Sequence, residues 1–160
     1  MIVALDVDYR VTSVVTAIVT FDDWTAASAA RESVIRTPGE AAAYEPGKFY
    51  ERELPYLRGA LATIEQFDLV IVDGFVWLGA DRKGLGAHLA DVIGTPVVGV
   101  AKTYFEGAPA IEVLRGSSAN PLYVTATGID AAVAASHVKA MHGEFRIPTL
   151  LKRADSLSKG

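Results

Sequence analysis

The stretch DLVIVDG, Asp68 to Gly74, constrains the fold more than any other part of the chain. Leu69, Val70, Ile71 and Val72 run without a polar break into Asp73 and Gly74. An unbroken apolar run of this length, bounded by turn residues, reads as a strand buried on both faces of a sheet. Ligands of open α/β sheets sit at the carboxyl ends of such strands. Asp73 is thus a carboxylate at a functional edge, beside a glycine that admits close approach to the backbone. The competing reading makes Asp73 the cap of the next helix.

Composition narrows the class. The 160 residues fit one domain spanning 1–160 with a sizeable core, and a 51% hydrophobic fraction argues against disorder. No apolar run reaches the roughly 18 residues of a membrane span. Met1 leads straight into a strand, so no secretory leader is expected. A cytoplasmic monomer is therefore expected. The chain has no cysteine, which excludes disulfides, thiolate metal sites and cysteine nucleophiles. A net charge of −4 does not advertise a nucleic-acid binder. It does not exclude one, because a metal-holding carboxylate cluster itself costs several negative charges. Basic residues are also local to the candidates below, at Arg82, Lys83, Lys102, Lys152 and Arg153.

In chain order, Ile2 to Tyr9 alternates, with Val3, Leu5 and Val7 on one face and Ala4, Asp6 and Asp8 on the other. An aspartate in the middle of a buried strand needs a partner. Val11 to Phe21 predicts a second strand, and Trp24 to Arg36 a weaker third. Two Pro-Gly pairs make Thr37 to Tyr50 a structured loop. Leu54, Leu57, Leu61 and Ile64 then predict a helix over Glu51 to Phe67, with Pro55 in its first turn. After the central strand come a loop, a helix from about Gly84, and an apolar strand from Thr95 to Lys102. Ile111–Gly116 and Pro121–Thr127 predict a hairpin. A helix over Ile129–Met141 follows, and a last one from about Pro148 carries Asp155.

Three antiparallel strands followed by alternating helices and parallel strands is the order of an α/β, ribonuclease H-like mixed sheet flanked by helices. In that order Asp6 and Asp73 become neighbours. Glu53 (with Glu51 as its competitor) and Asp155 then complete a set of four carboxylates. Such groups repel one another unless a cation lies between them. Mg²⁺, for which Mn²⁺ can substitute, takes oxygen ligands from a few carboxylates. Two such ions can clamp the attacking and leaving oxygens of a phosphodiester.

Six stretches resemble the endonuclease V family, repair nucleases that act at deaminated bases. They are ALDVDYR (Ala4–Arg10), YEPGKFYERELP (Tyr44–Pro55), LVIVDG (Leu69–Gly74), GLGAHL (Gly84–Leu89), TPVVGVAK (Thr95–Lys102) and Arg146-Ile147-Pro148 followed by Asp155. They occur in family order over nearly the whole chain. The resemblance implies that Asp6, Glu53, Asp73 and Asp155 hold metal and that Lys102 lies near the scissile phosphate. It matches His88 to a histidine behind the active-site loop, and Tyr44, Pro46 and Gly47 to the wedge that opens the damaged strand. It further implies an extruded-base pocket, expected between Gly47, Gly74 and Gly128.

The sequence also departs from the family pattern. Phe75 to Asp81 replaces a second glycine and a His-Pro-Arg run, and Thr125 to Gly128 replaces Ser-Pro-Gly-His. Trp77, expected in an exposed loop, offers either a stacking surface for a base or a cover for the sheet edge. The function expected is Mg²⁺-dependent cleavage of DNA or RNA near inosine. The alternative is a non-catalytic nucleic-acid-binding relative with altered substrate loops.

Overall fold

The computed structural model describes residues 1–39 and 49–160. Its centre is a seven-stranded mixed sheet. Strands β1 (Ile2–Tyr9), β2 (Ser13–Phe21) and β3 (Arg31–Pro38) form the expected antiparallel start, and helix α1 (Phe49–Leu61) leads to β4 (Leu69–Asp73). A small hairpin, β5 (Trp77–Gly79) and β6 (Arg82–Lys83), precedes α2 (Leu85–Ile93) and β7 (Val97–Ala101). Then follow β8 (Ile111–Val113), β9 (Leu122–Thr127), α3 (Ala131–Ala140) and α4 (Thr149–Lys159). The sheet order is β3-β2-β1-β4-β7-β9-β8, with β1, β4 and β7 parallel neighbours. The fold is ribonuclease H-like.

Strand alternation divides the core into two layers. Ile2, Ala4, Ile71, Val98 and Val124 pack with residues of α3 and α4 on one face. Val3, Leu5, Val70, Val72 and Val97 pack with α1 and α2 on the other. β4 and β7 are apolar on both sides because both faces are covered, which is why their sequences lack alternation.

Three element boundaries differ from expectation. β3 starts late because the Asp23 carboxylate accepts from the Thr25 amide and hydroxyl, turning the chain before it can pair. Helix α1 starts two residues earlier and ends six earlier than the leucine spacing implies. Pro55 therefore lies inside it rather than in its first turn, and α1 stops where Thr63 Oγ1 donates to the Ala60 carbonyl. The β5–β6 hairpin is too short to leave a periodic signal.

Candidate active site

The register of β1 on β4 pairs Leu5 with Val72, so Asp6 and Asp73 follow side by side at the carboxyl edge. Asp73 is in register with Val100 of β7, and Lys102 continues that strand. Helix α4 crosses the same edge and brings Asp155 over it. Asp6, Asp73, Lys102 and Asp155 line one cleft. Lys102 Nζ is 3.7 Å from Asp73 Oδ2. Glu53 approaches from α1 and is only 6% exposed.

The electrostatics record how close these groups are. Burial, followed by the charges of Asp73 and Asp155, raises the Asp6 carboxyl to about 6, against the pull of Lys102 and the Ser158 hydroxyl. Burial, then Asp73 and Asp6, raises Glu53 to about 8. Its Oε2 is buried and finds no hydrogen-bond partner among the described residues, an arrangement that is costly without a ligand. Asp155 behaves differently. Burial alone would raise it, but Lys159 at 2.7 Å, with Lys102 and Lys152, holds it below the usual carboxylate range.

Several contributors carry no signal in the sequence. Ser158, fully buried, donates to Asp6 Oδ2 at 3.2 Å, and Arg10 donates to the Ser158 carbonyl, so the last turn of α4 is tied to β1. Arg146 donates to the carbonyls of Lys102 and Pro121. Its own segment is held by the buried Arg115, whose guanidinium reaches the carbonyls of Lys139, Met141, Gly143, Phe145 and Arg146. Apart from the Ser158–Asp6 bond, these contacts go to backbone carbonyls, which leave no trace in residue identity.

The loop after Asp73 folds back across the sheet. Gly74, with φ of +134°, donates to the Val100 carbonyl. The Val76 amide then donates to Thr125 Oγ1 at 2.8 Å, and the Trp77 indole to the Ala126 carbonyl at 3.1 Å. Gly99 permits this return, because a Cβ there would lie 2.5 Å from the Gly74 carbonyl oxygen. Val76 is in the core and Trp77 is half-buried. Trp77 therefore covers the sheet instead of standing in an exposed loop. Gly84 and Gly86 let the start of α2 press onto the Phe75 and Val76 carbonyls, which absorb the amides of Gly84, Gly86 and Ala87. These amides are not free for a phosphate.

The remaining expected residues fall in different places. Gly128 is not at the functional edge. Val97 pairs with Thr127, so Gly128 packs on Pro96 at the amino end of β7, a strand's length, roughly 20 Å, from Lys102. Antiparallel β9 thus carries Gly128 away from Asp73 and Lys102, and the structure does not bring it to the carboxyl edge where Gly74 follows Asp73. His88 stacks on Tyr50, with ring centroids 3.7 Å apart, and is committed to the α1–α2 contact. Tyr44, Pro46 and Gly47 lie outside the described residues.

The donor set is all oxygen, which suits Mg²⁺ or Mn²⁺, and the unpartnered Glu53 Oε2 fits a cation. Among the described residues, however, no three acidic or imidazole side chains already converge as metal ligands do. Lysines 102, 152 and 159 meet Asp73 and Asp155 instead.

Carboxylates side by side on adjacent parallel strands, lining one cleft of a ribonuclease H-like sheet, define the class to which this chain belongs. Solved endonuclease V structures share the architecture. The one from Streptomyces avermitilis is 30% identical, with a TM-score of 0.75 over 99% of this chain and 79% of that one. The one from Ciona intestinalis, in complex with DNA containing an inosine followed by a ribo-adenosine, is 18% identical with a TM-score of 0.85 over 99% and 83%. The sequence model of endonuclease V matches residues 1–118, and the chain belongs to the endonuclease V family. The Streptomyces avermitilis protein is 32% identical over 72% of this chain, and that of Rhodospirillum centenum 33% over 69%. The matches span 60% and 56% of those two relatives' lengths.

Proposed function

We propose that this protein is a Mg²⁺-dependent endonuclease that hydrolyses a phosphodiester near a deaminated base such as inosine, in nucleic-acid repair or processing. The observation that carries the proposal is the placement of Asp6 and Asp73 side by side, just past the last registered pair of β1 and β4, in one cleft with Lys102. Membership of the endonuclease V family and the inosine-containing DNA in the Ciona intestinalis structure support it.

Asp6, Glu53 and Asp73 would hold the cation, and Asp155 would join them by releasing Lys159. When bound, Mg²⁺ supplies Lewis acidity that offsets charge developing on the phosphodiester oxygens. Lys102 would turn from Asp73 to a non-bridging phosphate oxygen. Ser158 keeps Asp6 oriented, and Gly74, bare of a side chain, leaves the backbone open to an extruded base. Tyr44, Pro46 and Gly47 would part the strand next to that base.

Matched DNA and RNA oligonucleotides, with and without one inosine, test this with Mg²⁺ or Mn²⁺. Cleavage of an inosine strand by wild type is expected, and its loss by a thousandfold or more in Asp6→Asn. Cleavage that survives Asp6→Asn would overturn the assignment. A second reading, a binding module without cleavage, is favoured by the lysines that already occupy Asp155. Tight binding of all four oligonucleotides with no cleavage by wild type would establish that reading instead.

A further inference from the structure

The carboxyl edge of the sheet carries a second set of side chains on the α2 side, none of which the acidic group uses. Tyr123 is in register with Ala101, the residue before Lys102. Its neighbours Leu122 and Val124 point into the α3–α4 layer, so Tyr123 faces the opposite way. Tyr104, two residues past Lys102, is 62% exposed, and its ring lies 5.8 Å from that of Tyr123. Phe105 meets Phe75 at 6.0 Å, and the Arg82 guanidinium lies 5.6 Å from the Phe105 ring centre. Two aromatic pairs and one arginine thus begin where Asp73 and Lys102 end.

A protein of net charge −4 gains little from general attraction to a polyanion. Asp81 and Glu106, exposed beside Arg82 and Phe105, argue further against a phosphate track here. Stacking of bases on aromatic faces needs no net charge and accepts any base, and an arginine over a ring adds a cation–π contribution. We infer that Tyr104, Tyr123, Phe75 and Phe105, with Arg82, form a subsite for unpaired bases of a single strand continuing past Lys102. The inference rests on the nuclease reading for its placement, because that reading sets a phosphate at Lys102. The stacking role expected of Trp77 passes to these rings, since Trp77 is fixed to Ala126.

The test is binding of a fluorescein-labelled oligothymidylate, which has no purine to be deaminated, followed by anisotropy over a range of salt. Wild type should bind. Tyr104→Ala should weaken binding roughly fivefold to a hundredfold with an unchanged melting temperature and an unchanged slope of log K on log salt. Tyr104→Phe should bind like wild type. Lys102→Met should instead flatten the salt slope by about one phosphate contact. Failure of wild type to bind, or equal binding by wild type and Tyr104→Ala, overturns the subsite. Cleavage of an inosine strand by the same proteins keeps the two readings apart. Wild type that cleaves while Tyr104→Ala binds normally sinks only the subsite. Tyr104-dependent binding without cleavage sinks only the nuclease.

Discussion

Lys102 and Asp73 join the carboxyl ends of two adjacent parallel strands through an ion pair of 3.7 Å. Both are about two-fifths exposed, so the pair contributes little to stability, and either partner can turn to a ligand. Lysine and cation compete for the same carboxylate. Lys102→Met should therefore bind Mn²⁺ at least as tightly as wild type by calorimetry, while cleavage falls about a hundredfold or more. Asp73→Asn should lose the metal. Undiminished Mn²⁺ binding in Asp73→Asn would move the site elsewhere.

Glu53 and Asp6 make stability depend on pH in the metal-free protein. Their folded-state values, about 8 and about 6, lie above the ordinary carboxylate values of 4.5 and 3.8. Between those limits the native state holds protons that the unfolded chain has lost. Stability therefore falls as pH rises from about 4 to 8. Denaturant titrations at about pH 5 and pH 8 should differ by a few kcal/mol in wild type, to order of magnitude. Glu53→Gln should be flatter. Equal slopes for the two proteins would remove Glu53 from the buried, repelling group.

How much of this was legible depends on whether a feature is carried by side-chain identity or by backbone. The apolar runs at β4 and β7, the Asp6–Asp73 adjacency and the ribonuclease H-like order all follow from patterns of residue type, and they stand. The placement of Gly128 does not follow, because nothing in Thr125-Ala126-Thr127-Gly128 says at which edge antiparallel β9 ends. Trp77 reads as loop because its partner is a main-chain carbonyl. Arg115 leaves no sequence signal for the same reason, and Arg146 stands out only through the Arg-Ile-Pro stretch, not through its carbonyl partners. Ser158 lies 152 residues from Asp6, and only the path of α4 brings them together.

Arg115 serves as a clamp rather than a charge. Its guanidinium is buried among backbone carbonyls, and burial lowers its pKa. Arg115→Met should destabilise the protein by about 3 kcal/mol or more, leaving several of those carbonyls without a donor. Arg146→Met, nearer the surface, should cost about 1 kcal/mol while slowing cleavage, because the Lys102 carbonyl loses its tether. Thermal denaturation beside single-turnover rates separates the two. Equal effects on stability would contradict the clamp.

Gly99 makes room for the chain that leaves Asp73. Besides the Gly74 carbonyl, a Cβ at Gly99 would meet Thr125 Oγ1 at 2.9 Å and the Val76 amide nitrogen at 3.0 Å. Gly99→Ala should destabilise by about 2 kcal/mol or more and weaken metal binding by displacing Asp73. A fully stable, metal-binding Gly99→Ala protein would show that the loop does not fix the carboxylate.

The most direct test of the central claim is an anomalous-difference map from a crystal grown with Mn²⁺. The proposed site predicts a peak within carboxylate-ligand distance, about 2 Å, of both Asp6 and Asp73, with Glu53 Oε2 turned toward it. It also predicts that Lys102 has left Asp73. Mn²⁺ bound only elsewhere, with the Lys102–Asp73 pair intact, would contradict it.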